Sequence, residues 1–281
     1  MTGLDARRKA TNALMLSLTG ICTILVASVL FIILGYLAFN GARYLSLDFF
    51  TKLPVPVGEM GGGMANAIVG SGKLLLLALS IGVPIGFFGG IYLAEFSHGT
   101  FPFIIRYTTD LLNGVPSIVI GIFAYAMVVH PMGHFSTLAG GVALSVMMIP
   151  IALRTTEEFL HGVPQSLREG GLALGASKSR TIFTVVVPAA LDGIVSGMML
   201  DLARVAGETA PLLFTALGNP FWSKGWMEPT SALPMMIFTY GISPYEDWHK
   251  QAWAAGFVLL SFVLLVNIIA RTFISRLRTV Y

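Results

Sequence analysis

The sequence predicts an all-α, polytopic membrane protein with six transmembrane helices. Three observations carry that reading. Of 281 residues, 55% are hydrophobic and only 11% are charged, against about 25% charged in soluble domains. Mean hydropathy is +0.80. Apolar runs long enough to cross a bilayer, which needs about 20 residues of helix, recur along the chain. Length alone would allow roughly two soluble domains, but 17 Lys and Arg with 14 Asp and Glu cannot cover their surfaces. The apolar content excludes a disordered chain and the single Cys excludes a disulfide scaffold. A net charge of +3 without a basic run gives no basis for nucleic-acid binding.

The first span is expected at 13–39, since no charge occurs between Lys9 and Arg43. Its apolar run is too long for a signal peptide and lacks a clear small-residue cleavage site. The second covers about 65–93 and is interrupted by Lys73. The third covers about 111–129 and the fourth about 137–153. The fifth runs from about 182 to 217 with several internal charges, and the sixth covers 252–270. Six spans place both termini on one side. Eleven Lys and Arg fall on the terminal side and four on the opposite side, so the positive-inside rule makes both termini cytoplasmic. Two outer loops are long, 40–64 and 218–250. The run at 232–240 is too short to span and is expected to pack on the outer face.

The cytoplasmic loop at 155–181 has punctuation of its own. Pro164 starts a short helix, and Gly175 suits its end because glycine reaches positive φ without steric cost. A short rigid element between membrane helices is a mechanical handle for a cytosolic partner, with Arg168 and Glu169 available to it.

In the fifth span Asp201, Arg204 and Glu208 recur at i, i+3 and i+7, close to one helical face. Arg204 could pair with either carboxylate. The alternative to a functional role is a neutralised network joining two helices, because pairing lowers the cost of an intramembrane charge. Pro211 cannot donate to the carbonyl of Gly207 and clashes with it, so the helix is expected to kink or unwind between Arg204 and Pro211. Irregular backbone at membrane depth is tolerated only inside protein or beside a cavity. Charge and broken helix together indicate a pathway.

Arg154 ends the fourth span as either a snorkelling or a functional residue. Lys73 is either an outer-vestibule cation or a side chain snorkelling outward, with the second preferred. Gly70-Ser71-Gly72-Lys73 fails as a phosphate-binding P-loop, since Ala67 and Leu74 stand where that motif needs Gly and Ser/Thr. His130 and His134 flank Pro131 and Gly133 and read as a turn, not a metal site. Asp110 and Asp192 read as solvated or helix-terminal groups. No catalytic grouping is identifiable, so the chain is not read as an enzyme.

Glu169-Gly170-Gly171, Gly175, Val185, Val187 and Pro188 resemble the EAA loop of permeases from ATP-driven (ABC) importers. Gly170 and Gly171 stand where that loop carries two alanines. Further segments are similar to phosphate permeases: Gly89 to Glu95, Gly114 to Gly121, Arg154 to Glu158, and Arg204 to Leu212. The resemblance covers about 65–275, the permease domain, with 1–64 forming the N-terminus, first span and first outer loop.

The resemblance implies a type I ABC importer permease fold in a bacterial cytoplasmic membrane, importing inorganic phosphate. It implies Arg204 and Arg154, with Glu208 and Asp201, on the substrate pathway. It places Arg168, Glu169, Gly170, Gly171 and Gly175 at the contact with the ATPase. The implied partners are a second, related permease chain, two ATP-binding subunits and an external phosphate-binding protein. No cofactor is expected in this chain, with ATP and Mg on the partner ATPase. Sulfate, molybdate or tungstate permeases remain the nearest alternatives, and a stand-alone secondary transporter or channel a more distant one.

Overall fold

The structure, a computed structural model, describes residues 3–59, 61–96 and 99–278. Helices account for its elements in order: α1 (Gly3–Arg43), α2 (Leu47–Thr51), α3 (Ala65–Phe96), α4 (Thr100–Gly114), α5 (Ser117–Met132), α6 (Thr137–His161), α7 (Gln165–Ala173), α8 (Lys178–Ala206), α9 (Ala210–Leu213), α10 (Leu233–Gly241) and α11 (Glu246–Arg278). Among the described residues, five helices are long and apolar enough to cross a membrane, and six if the bent pair α4–α5 counts as one span.

That pair departs from the expected third span at 111–129. The chain turns by 107° between α4 and α5. Pro116 is the cause. It disfavours helical backbone at Val115, which sits at φ −72° and ψ 130°. The span therefore starts after Pro116, while Leu111 belongs to the separate helix α4.

The centre of the fold is the parallel pair α3–α6, the most extensive helix contact, with α8 packed against α6. Lipid tails are as apolar as the side chains, so membrane helices gain from close backbone approach through small residues. Gly82, Gly86 and Gly90 form such a row on α3. A Cβ on Gly86 would lie 2.5 Å from the Ala152 Cβ, and one on Gly90 2.5 Å from the Thr156 Cβ. On α8, Gly193 and Gly197 admit Phe159 and Thr155 in the same way. Three apolar layers stack along these helices. Phe49, Met64 and Tyr240 mark the layer at the start of α3, Leu74, Leu144 and Val205 the middle one. Ile91, Leu160 and Ile194 mark the layer nearest α7.

α1 packs along α11, where Tyr36 meets the Trp253 ring edge-on at 5.2 Å. α10 covers α3 and α11, with Tyr240 stacked on Trp248 at 4.2 Å. The 232–240 run thus packs against other helices and does not span.

Lys73 reaches from α3 to the long loop before α10. Its Nζ donates to the Ser223 carbonyl at 2.8 Å and lies 6.0 Å from the Trp226 ring centroid. Asn66 donates to the Asn219 carbonyl at 2.6 Å, and Leu233 N donates to Ser71 Oγ at 2.8 Å. The first turns of α3 therefore anchor the long loop between α9 and α10.

Candidate functional site

The fifth span ends as its sequence requires. α8 stops at Ala206, Gly207 caps it, and the helix resumes only as the short α9. Pro211 has no N–H for the Gly207 carbonyl. Residues 207–209 consequently run as a turn, with Glu208 N donating to the Val205 carbonyl at 3.2 Å. Gly121 of α5 supports this break, because a Cβ there would lie 2.6 Å from the Cα of Pro211.

The three charges of this region do not share one environment. Arg204 Nε stands 4.0 Å from Glu208 Oε1, and the Arg204 side chain is 52% exposed on the isolated chain. Asp201 is buried, and neither of its carboxylate oxygens has a hydrogen-bond partner. Of the two carboxylates expected to serve Arg204, Glu208 is the one that pairs with it, and Asp201 makes no ion pair with Arg204. The reason is helical register. Asp201 continues the Gly193–Gly197 row, at four-residue spacing, into the packed seam. Arg204 is rotated about 60° from it at 100° per residue, and so leaves the seam.

The second constellation lies on the α7 side of α6. Arg154 Nε donates to Asp110 Oδ1 at 2.9 Å and its Nη2 donates to Asp110 Oδ2. Its Nη1 donates to Glu157 Oε2 at 3.3 Å. Glu157 is buried and also accepts from Arg106 Nε at 2.5 Å, with His161 Nε2 3.7 Å away. Asp110 is therefore no mere helix-terminal group. Glu157 at i+3 from Arg154 was open to inspection as a helical pair. Asp110 and Arg106, on another helix, carried no such signal.

The cytosolic-type loop forms as its punctuation indicates. Pro164 precedes α7, and Gly175 follows it at φ +81°. Arg168 turns inward. Its Nε and Nη2 donate to Glu95 Oε1 at 3.0 and 2.6 Å, and its Nη1 and Nη2 reach the Val163 and Leu160 carbonyls. Lys178 Nζ adds a hydrogen bond to the Glu95 carbonyl. Glu169 stays exposed, as do Leu167, Leu172 and Leu174. Gly171 lies against Thr181, where a Cβ would come 2.5 Å from the threonine methyl, whereas Gly170 faces open space. Among the described residues no group of three metal-ligating side chains occurs.

Residues 82–279 match the family model described as "Binding-protein-dependent transport system inner membrane component". The chain belongs to that family. Among curated members, it is 45% identical over 238 residues to the Yersinia pestis "Phosphate transport system permease protein PstA", covering 84% of this chain and 81% of that one. It is 43% identical over 267 residues to the Haemophilus influenzae protein of the same name, covering 95% and 94%. A solved inward-facing MetNI methionine ABC transporter matches with a TM-score of 0.56 at 19% identity, covering 78% of this chain and 97% of that chain. That likeness shows the fold, a type I ABC importer permease. As a binding-protein-dependent inner membrane component, the chain is a membrane-embedded permease.

Proposed function

We propose that this chain is the membrane-spanning permease subunit of an ATP-driven importer that moves inorganic phosphate into the cytoplasm. The observation that carries the reading is Arg204, a half-exposed guanidinium beside a broken helix, four residues from its only close carboxylate partner among the described residues. A charge facing hydrocarbon costs a few kcal/mol, so this surface belongs against water or another protein chain. A second, PstC-like permease would complete the cavity. The names of the most similar relatives supply the anion.

Guanidinium suits the task because it stays charged and offers paired donors to phosphate oxygens. Glu208 holds Arg204 only loosely, so phosphate can replace it during passage. Arg154 receives the anion nearer the exit. Asp201 stands behind this wall, packed into the α6 seam. Glu208 would also accept a hydrogen bond from the proton that phosphate keeps and sulfate lacks.

Two ATP-binding subunits, carrying ATP and Mg, would dock on the exposed side of α7 around Glu169 and Gly170. Gly171, Gly175 and Arg168 hold that helix in place. An external phosphate-binding protein would deliver the anion to the outer loops. Both termini are then cytoplasmic in a bacterial cytoplasmic membrane. Co-purification of the complex, followed by an ATPase assay with the phosphate-loaded binding protein, tests the assignment. Stimulation by phosphate and not by sulfate or molybdate supports it.

A further inference from the structure

Arg154 is already occupied by an anion of the chain itself. Asp110 accepts two parallel hydrogen bonds from Nε and Nη2. This is the fork geometry by which a guanidinium binds either a carboxylate or a phosphate. The remaining bonded nitrogen, Nη1, points to Glu157. The two carboxylates differ in how freely they can leave. Glu157 is 4% exposed in its side chain and is further held by Arg106, whereas the Asp110 side chain is 58% exposed. Asp110 is the exchangeable partner and Glu157 the fixed one.

Their elements differ in the same sense. Glu157 sits on α6, the most contacted helix of the fold. Asp110 sits on α4, joined to α5 by the 107° bend at Pro116. Around Asp110, Tyr107 and Leu111 are exposed, and Thr109 is buried. A small rotation of α4 separates the pair without breaking the α3–α6 seam.

We propose that Asp110 is a built-in competitor for Arg154, which transported phosphate must displace and which re-forms the fork when phosphate leaves. This rests on the pathway reading of Arg154 given above. A resident carboxylate keeps the last arginine from retaining its cargo. When the binding-competent state is populated only in part, apparent affinity falls by that fraction. It also shields the guanidinium from phosphate returning from the ATP side.

The test uses the complete transporter in proteoliposomes, with binding protein on one side and ATP on the other. Uptake is measured as inorganic phosphate is added on the ATP side. Asp110→Asn and Asp110→Ser remove the competing charge at an exposed position. Each is expected to lower the half-inhibiting phosphate concentration about tenfold, which corresponds to a competitor that occupies Arg154 about nine-tenths of the time. Asp110→Glu, which keeps the carboxylate, is expected to stay within about twofold of the parent. Assembled neutral variants with an unchanged half-inhibiting concentration would overturn the proposal. So would loss of assembly in both, since the pair would then be a structural brace. Arg154→Ala separates the two readings. Unimpaired uptake in that variant removes Arg154 from the pathway whatever Asp110 does, whereas lost uptake with insensitive Asp110 variants rejects the competitor alone.

Discussion

Arg168 on α7 and Glu95 at the end of α3 lie 73 residues apart in sequence, yet two guanidinium nitrogens of Arg168 converge on one oxygen of Glu95 at 2.6 and 3.0 Å. Both side chains are largely buried, and Arg168 also closes the turn between α6 and α7 through two carbonyls. A short helix without buried residues of its own is thereby fixed to the α3–α6 core. Force applied to α7 then reaches the spans. Breaking one partner of a buried pair leaves an uncompensated charge and costs about 3–5 kcal/mol. Arg168→Ala and Glu95→Ala should each lower thermal stability by that order. They should also leave ATP hydrolysis less dependent on phosphate and binding protein, measured as the ratio of stimulated to unstimulated ATPase activity.

The two glycines that replace the alanines of the EAA loop should behave differently. Gly170 faces open space, and Gly171 lies against the Thr181 methyl. Gly170→Ala is expected to strengthen α7 by up to about 1 kcal/mol, the helix-interior cost of glycine, with uptake retained. Gly171→Ala pushes the helix off Thr181 and should weaken coupling severalfold. Paired uptake and ATPase measurements on the two variants check the contrast.

Close approach makes a similar forecast for α3. Gly86→Val forces α3 and α6 apart where a Cβ would stand 2.5 Å from Ala152, and overpacking of this kind costs about 1–3 kcal/mol or more. The assembled complex should be recovered in much lower yield. Gly72→Ala, with nothing near its Cβ position, should be neutral. Membrane yield by quantitative immunoblot distinguishes them.

Lys73 should act through the loop between α9 and α10 and not through the anion. Lys73→Met removes the bond to the Ser223 carbonyl and the cation above Trp226. Faster amide hydrogen exchange across 219–230 is the expected result, by about tenfold for a loss near 1.4 kcal/mol. An unchanged exchange rate with salt-sensitive uptake would instead make Lys73 an attractor for anions.

Much of this architecture was legible because membrane spans are written as local composition. The apolar run at 252–270 needed no knowledge of its neighbours. Pro164 and Gly175 framed α7, and Pro211 foretold the break after Ala206. Hydropathy failed at 111–129 because apolar residues flank Pro116 on both sides, so the sharp turn leaves no mark on a hydropathy sum. Which of the two carboxylates meets Arg204 depends on how α8 seats against α6, which the spacing of charges alone does not fix. The fork between Arg154 and Asp110 spans 44 residues. Such pairings arise from tertiary packing, and their residues read locally as ordinary helix ends.

The most direct test of the account is phosphate uptake by cells or proteoliposomes carrying Arg204→Ala, with assembly verified by co-purification of the other subunits. The account predicts an assembled complex in which phosphate uptake is abolished. Normal uptake in that complex would contradict it.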